Sequence, residues 1–261
     1  MTEGYCMEIV FSEKFYESNY ASDPAAEPGR LEPIIRNLKA DGGYIFHESK
    51  PASEEQILRA HTHEQYMYVK QDPTLYEMAS LAAGGAILAA DLGWQGKPTF
   101  AVIRPPGHHA SADSCWGFCY FNNLSVSLLN LFATTEAKSA FIWDFDLHTG
   151  DGNINILGER EGITIVNLKH APSEEDWLAQ MAMTLEKHPP VSIITASAGF
   201  DLGREDWGGF LSTNTYEEIG KMMKEFANEK CGGRRYALLE GGYNFDALGR
   251  NAAAFCRGFR D

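Results

Sequence analysis

Apolar runs rich in β-branched and aromatic residues recur along the whole chain, at 7–11, 99–103, 140–145, 163–167, 191–196 and 235–239, with a shorter one at 43–46. Most are apolar almost throughout rather than alternating, a pattern that suits a strand with both faces buried. Helical patterns separate them, most clearly at 74–92, 121–132, 174–187 and 214–229, and Ser53-Glu54-Glu55-Gln56 has the spacing of a capping box that opens another helix. Buried strands alternating with helices imply an α/β fold, a central and mainly parallel sheet covered on both faces and joined by right-handed crossovers. No repeat, Pro-rich stretch or charge run divides the 261 residues, so one three-layer α/β/α domain over 1–261 is expected.

In such folds ligands collect beyond the carboxyl ends of the strands. Four strand exits here carry chemically capable residues. Arg104-Pro105-Pro106-Gly107-His108-His109 follows the first, and Asp144, Asp146 and His148 follow the second. Ser197-Ala198-Gly199-Phe200-Asp201 follows the third, and Glu240-Gly241-Gly242-Tyr243 the fourth. Within Asp144-Phe145-Asp146-Leu147-His148-Thr149-Gly150-Asp151, two carboxylates and an imidazole alternate, and residues i, i+2 and i+4 of an extended segment share a face. Asp and neutral His are good ligands for a divalent ion such as zinc. Taken alone, the run fits a polar strand exit into a turn equally well.

The bulk charge narrows the partners. With 22 Lys and Arg against 36 Asp and Glu, the formal charge is −14, which argues against a nucleic-acid groove and suits a cationic or amine-bearing ligand better. The five cysteines, Cys6, Cys115, Cys119, Cys231 and Cys256, are scattered and odd in number, which fits reduced thiols. Cys115 and Cys119 lack a second Cys/His pair and read as packing thiols. The chain begins without the basic and apolar regions of a signal peptide, and its apolar stretches read as too short to span a bilayer, so a cytoplasmic protein without a membrane partner is expected.

RPPGHHA at 104–110, GFCYFNN at 117–123, DFDLHTGDG at 144–152, SAGFD at 197–201 and EGGYN at 240–244 together resemble the histone deacetylase and acetylpolyamine amidohydrolase family of the arginase-deacetylase superfamily. Glu27-Pro28-Gly29-Arg30-Leu31 is a weaker echo of an N-terminal stretch of that family. The resemblance runs over nearly the whole chain. It implies that Asp146, His148 and Asp201 ligate one catalytic metal, zinc in the first instance, though two carboxylates and one His also accept iron or cobalt. It further implies that Asp144 orients His108, that Asp151 orients His109, that His109 is the general base, and that Tyr243 donates to the oxyanion. Gly117 and Phe118 would line the substrate path. A monovalent cation site, taken by potassium in the family, would involve Asp144, Asp146, His148 and the pair Asn167-Leu168, which replaces a Ser-Leu pair.

Structural roles compete with each assignment. His108-His109 would also suit a turn after Pro105-Pro106, Tyr243 a packing role below Gly241-Gly242, and Asp201 a helix N-cap. His61-Thr62-His63-Glu64 looks metal-like but reads as a helix start. Two departures from the family bear on substrate: the loop after 61–69 is short, and the strand ending at Leu168 runs through Lys169-His170-Ala171-Pro172 directly into Ser173-Glu174-Glu175. The second removes an aromatic wall, leaving Phe118 to be partnered by Trp177 or by a second subunit of a homo-oligomer. A shallow, exposed metal site is therefore expected, acting on a small acylated amine or an acyl-lysine peptide. The rival readings are a weakly active or inactive acyl-amine binding protein of the same fold, and an arginase-type ureohydrolase with two metals.

Overall fold

The computed structural model describes residues 6–17, 19–168 and 171–260. Seven strands, β1 (Met7–Phe11), β2 (Tyr44–Glu48), β3 (Thr99–Ala101), β4 (Ala140–Asp144), β5 (Ile163–Val166), β6 (Ile193–Ala198) and β7 (Arg235–Leu239), form one sheet in the order β2-β1-β3-β7-β6-β4-β5. Every pairing is parallel. Every residue of β1, β3, β4, β6 and β7 is buried, while the edge strands β2 and β5 are half-exposed. That division explains the sequence pattern: only interior strands with helices on both faces must be apolar on both faces.

Polar caps set where the helices begin. Ser53 closes the expected capping box with Gln56, and Asp72, Asn122, Ser173, Ser212 and Asn244 each accept a backbone N–H of the first turn of the helix that follows. Helices at Pro73–Trp94, Asn123–Thr134, Glu174–Lys187 and Thr213–Lys230 match the expected ones within two residues at each end. Helices at Glu32–Asp41, His63–Lys70, Asp151–Leu157 and Phe245–Phe259 add to them. One expectation needs correcting: Pro73–Trp94, with 22 residues, is long and apolar enough to cross a membrane. It is instead a core helix, with 67% of its most apolar window buried. Its apolar character comes from a run of alanines and glycines that lets it lie close to β7, where a Cβ on Gly93 would stand 2.7 Å from the Arg235 carbonyl oxygen.

The strand order has a direct consequence for the site. β3, β7, β6 and β4, whose exits carry the four motifs, stand side by side in the middle of the sheet. Residues almost 140 positions apart in sequence are thereby delivered to one end of four neighbouring strands.

Candidate active site

β4 ends at Asp144 and β6 at Ala198, with Asp144 paired to Ser197 across the ladder. The turns beyond these two strands bring Asp146, His148 and Asp201 together, their ligand atoms all within 4.8 Å of one another. Backbone donors fix the carboxylates: Asp146 Oδ2 accepts from Gly241 N at 2.8 Å, Asp146 Oδ1 from His148 N at 2.9 Å, and Asp201 Oδ1 from Leu147 N at 2.9 Å. Such close packing needs glycine. A Cβ at Gly199 would lie 2.1 Å from Asp146 Oδ2, and one at Gly241 would lie 2.7 Å from Asp201 Oδ2.

The cluster crowds two carboxylates and an imidazole onto one buried point. Asp146 and Asp201 are buried, and Asp201 Oδ2 accepts no hydrogen bond although His148 Nδ1 is 3.1 Å away. Burial and the like charge of Asp146 push the Asp201 carboxyl up to about 7. Burial opposes the charge on Asp146 as well, but the positive charge of His108 and hydrogen bonds from His148 and Gly241 outweigh it and hold this carboxyl below its ordinary range. The nearby carboxylates of Asp146 and Asp201 raise His148 to about 10, so its bound proton stands where a divalent ion would neutralise the pair. An orphaned buried carboxylate oxygen, a second carboxylate and an imidazole on the same point fit a divalent metal. A second cluster of metal-capable groups, His108, Cys119 and Glu240, fits one poorly, because burial raises the Cys119 thiol well above its usual range and keeps it protonated.

His108 and His109 lie beside this cluster with ring centroids 4.0 Å apart. His108 Nδ1 is 3.3 Å from Asp144 Oδ2, and its Nε2 is 3.8 Å from Asp146 Oδ1. Burial alone would discharge it, but the carboxylates of Asp146 and Asp144 prevail and raise its pKa well above the usual value. His109 Nδ1 is 2.6 Å from Asp151 Oδ1. Its burial and the neighbouring His108 charge lower it to about 4, so at neutral pH it is an uncharged base. Tyr243 is half-buried, and burial followed by the charges of Asp146 and Asp201 raises its phenol, which keeps the O–H available as a donor.

The remaining expected residues divide. Gly117 and Phe118 both have positive φ, 60° and 59°, and a Cβ on Gly117 would stand 2.8 Å from His109 Cδ2. A non-glycine residue in the left-handed region is uncommon, and here the turn brings the backbone against the imidazole. Trp177 is not a replacement wall: it is 1% exposed and stacks on Trp143, because its helix turns Trp177, Met181 and Leu185 toward the core. At the expected potassium site, the Asn167 Nδ2 donates to the Asp144 carbonyl at 2.9 Å. Lys169 and His170, in the shortened connection, lie outside the described residues. Thr62 caps the helix His63–Lys70, and the buried His61 Nε2 accepts from Asn122 N at 2.8 Å, so that run is structural.

Several contributors were not anticipated. Asn153 Nδ2 bridges Asp144 Oδ2 and Ser197 Oγ at 3.2 and 2.9 Å. Glu240 Oε2 accepts from Gly107 N and His108 N, and the buried Arg30 bonds the carbonyls of Glu240 and Gly242. Asp206 Oδ2 accepts from Tyr243 N at 2.7 Å and Asn244 N at 2.8 Å. Two exposed indoles flank the site: Trp116 lies tilted against His109, and Trp207 stacks on Tyr243. The presence of Glu240 and Arg30 in the recognised motifs was a signal; Asp206 and the two indoles had none beyond lying in loops next to motif residues.

A family model described as the histone deacetylase domain matches residues 25–178 and 166–259. A probable deacetylase of Methanothermobacter thermautotrophicus is 27% identical, over 96% of this chain and 90% of that protein. The histone deacetylase-like amidohydrolase of Pseudomonas aeruginosa is 27% identical, over 82% of this chain and 70% of that protein. Among solved structures, the HDA15 HD domain superposes with a TM-score of 0.84 at 24% identity, covering 97% of this chain and 88% of that one, which supports the same fold.

Proposed function

The chain belongs to the histone deacetylase family and is a deacetylase-type hydrolase, and from that premise we propose that it removes an acetyl or similar acyl group from an amine with the help of one divalent metal, zinc in our reading. The observation that carries the proposal is the meeting of Asp146, His148 and the unpartnered Asp201 Oδ2 beside two His–Asp pairs and Tyr243. Held by Asp146, His148 and Asp201, such an ion would polarise the amide carbonyl and acidify a water.

The chain's own residues supply the rest. His109, uncharged at neutral pH, takes the proton of the attacking water at Nε2, while its Nδ1–H is held by Asp151. The same imidazole then returns the proton to the leaving amine. His108, charged and buried against Asp144, hydrogen-bonds and orients that water. The Tyr243 O–H donates to the oxyanion as the carbonyl carbon becomes tetrahedral. Gly117 and Phe118 bring a backbone turn against His109 and bound the path of the acyl-amine.

Hydrolysis of acetyl-lysine peptides and acetylated polyamines by the zinc-loaded protein tests the proposal. Tyr243→Phe should cost about 10²- to 10³-fold in kcat. Equal rates for the parent, Tyr243→Phe and Asp201→Ala would leave only an acyl-amine binding protein. Metal stoichiometry separates the arginase-type alternative, which needs two transition metals per chain rather than one.

A further inference from the structure

The two edges of the sheet are not alike. Every residue of β5 is half-buried, whereas Ile45, Phe46 and Glu48 of β2 are exposed, Ile45 at 46% and Phe46 at 39%. A sheet edge is ordinarily blunted by a lysine, a proline or a bulge. Tyr44–Glu48 contains neither residue, and its register with β1 runs unbroken from Met7 opposite Tyr44 to Phe11 opposite Glu48. Among the described residues β2 pairs with β1 alone.

Two bonds at the ends of this ladder fix which backbone groups of β2 are free. Gly43 O accepts from Met7 N at 3.2 Å, and Ser49 N donates to Phe11 O at 3.1 Å. Because the direction alternates along a strand, Ile45 and His47 also turn their N–H and C=O toward β1, and Tyr44, Phe46 and Glu48 turn theirs away from the sheet.

That alternation makes the edge complementary to itself. A two-fold axis through Phe46 sets two antiparallel copies of β2 so that Phe46 faces Phe46 and Tyr44 faces Glu48, and each of these residues meets a partner whose backbone groups also point outward. The Phe46 rings then adjoin on one face of the joint, and Ile45 meets His47 on the other. His47 itself stays paired with Glu8, Nε2 to Oε2 at 2.5 Å.

Charge follows the same symmetry. At one end of the edge the Arg260 guanidinium lies over the Tyr44 ring, 5.5 Å from its centroid. At the other end Glu48, Glu13 and Glu17 line a hollow of about 590 Å³ that Lys14 and Lys39 also border. Lys14 is held by Glu77 at 2.5 Å and Lys39 stands over the Phe46 ring, so carboxylates prevail in the hollow. With Tyr44 of one copy opposite Glu48 of the other, each Arg260 comes to an acidic end.

We propose that β2 is a docking edge for a second copy of this chain, joined antiparallel about Phe46 so that the two sheets become one. β1 stands between this edge and β3, so the joint is remote from the four strand exits and independent of the hydrolase reading.

Sedimentation velocity of the full chain at low ionic strength, from about 1 to 200 µM, tests the proposal, and a dimer should accumulate across that range because a short edge belongs with the weaker specific interfaces. Phe46→Pro removes an N–H that points away from the sheet, as proline at an edge can, and it should keep the protein folded and monomeric. Glu48→Arg and Arg260→Glu should each weaken the dimer about tenfold, and the double variant, which exchanges the charges across the axis, should restore it. Circular dichroism melting checks each fold, and the charge exchange carries the test where Phe46→Pro melts early. A chain that stays monomeric at the highest concentration overturns the proposal. So does a dimer that survives Phe46→Pro and both single charge reversals, or an assembly that grows beyond two copies.

Discussion

At the floor of the site Asp144, Asp146, Asp201 and Glu240 are each no more than 2% exposed and are held mainly by backbone N–H groups and buried side chains, whereas at its rim Trp116 and Trp207 are 55% and 61% exposed and held by stacking. The floor concentrates like charges where water cannot screen them, which is costly unless a cation is taken up. The rim puts flat apolar surface into water, which is costly unless a ligand covers it. The floor thus offers a cluster of metal-capable groups, while the rim offers two exposed aromatic side chains beside His109 and Tyr243. Asp206 ties them together, since its carboxylate bonds the backbone of both Trp207 and Tyr243.

The largest effect should come from the floor. Asp201→Ala should lower hydrolysis by about 10³-fold or more, because a ligand to the ion is lost. In the metal-free chain the same substitution removes one of two buried like charges but also one of the two carboxylates that hold the His148 proton, so at pH 8 the two effects should largely offset and the melting temperature should change little. A metal-free melting temperature that drops sharply would show that Asp201 is a packing residue, and the contrast with the rim would collapse.

A smaller effect should come from the tie between the two regions. Asp206→Ala takes the acceptor from Tyr243 N and Asn244 N and frees the loop of Trp207. A displaced oxyanion donor costs about 10- to 100-fold in kcat, with a modest change in melting temperature because Asp206 is only half-buried. Unchanged kcat would mean that floor and rim are independent.

Much of the floor was legible in the sequence because its residues sit at strand exits inside motifs of fixed spacing. Asp144, Asp146 and Asp201 could be placed once the strands were recognised, and the sheet order then put those strands side by side. The rim was not legible. Trp116, Trp143, Trp177 and Trp207 are chemically alike in the sequence, and only tertiary packing decides that Trp177 faces Trp143 in the core while Trp207 faces Tyr243 and solvent. The helix Phe245–Phe259 was missed although Leu248, Ala252, Phe255 and Phe259 give it a clear apolar stripe and Asn244 caps its start.

A still smaller effect should appear in stability against pH. In the metal-free chain, the carboxylates of Asp146 and Asp201 raise His148 from 6.5 to about 10. A proton held more tightly in the folded than in the unfolded state contributes its full stabilisation below pH 6.5 and loses it as pH rises through about 10. The melting temperature of the metal-free protein should therefore fall across that window. With metal bound the ion replaces the proton, and the profile should be flatter over the same range. Parallel profiles with and without metal would contradict the charge arrangement at the floor.

The smallest expected effect concerns potassium. Family resemblance puts main-chain carbonyls near β4 around a monovalent cation, yet the Asn167 amide N–H already donates to the Asp144 carbonyl at 2.9 Å. A donor on that oxygen does locally part of what the cation would do there, orienting the strand exit that carries Asp144 and Asp146. Exchanging potassium for tetramethylammonium at constant ionic strength should leave both the hydrolysis rate and the melting temperature unchanged. In Asn167→Ser, which restores the family's residue type and removes the amide donor, the same exchange should lower both. A parent protein that itself loses activity without potassium would show that Asn167 turns its oxygen to a bound ion, and the floor would then need two cations rather than one.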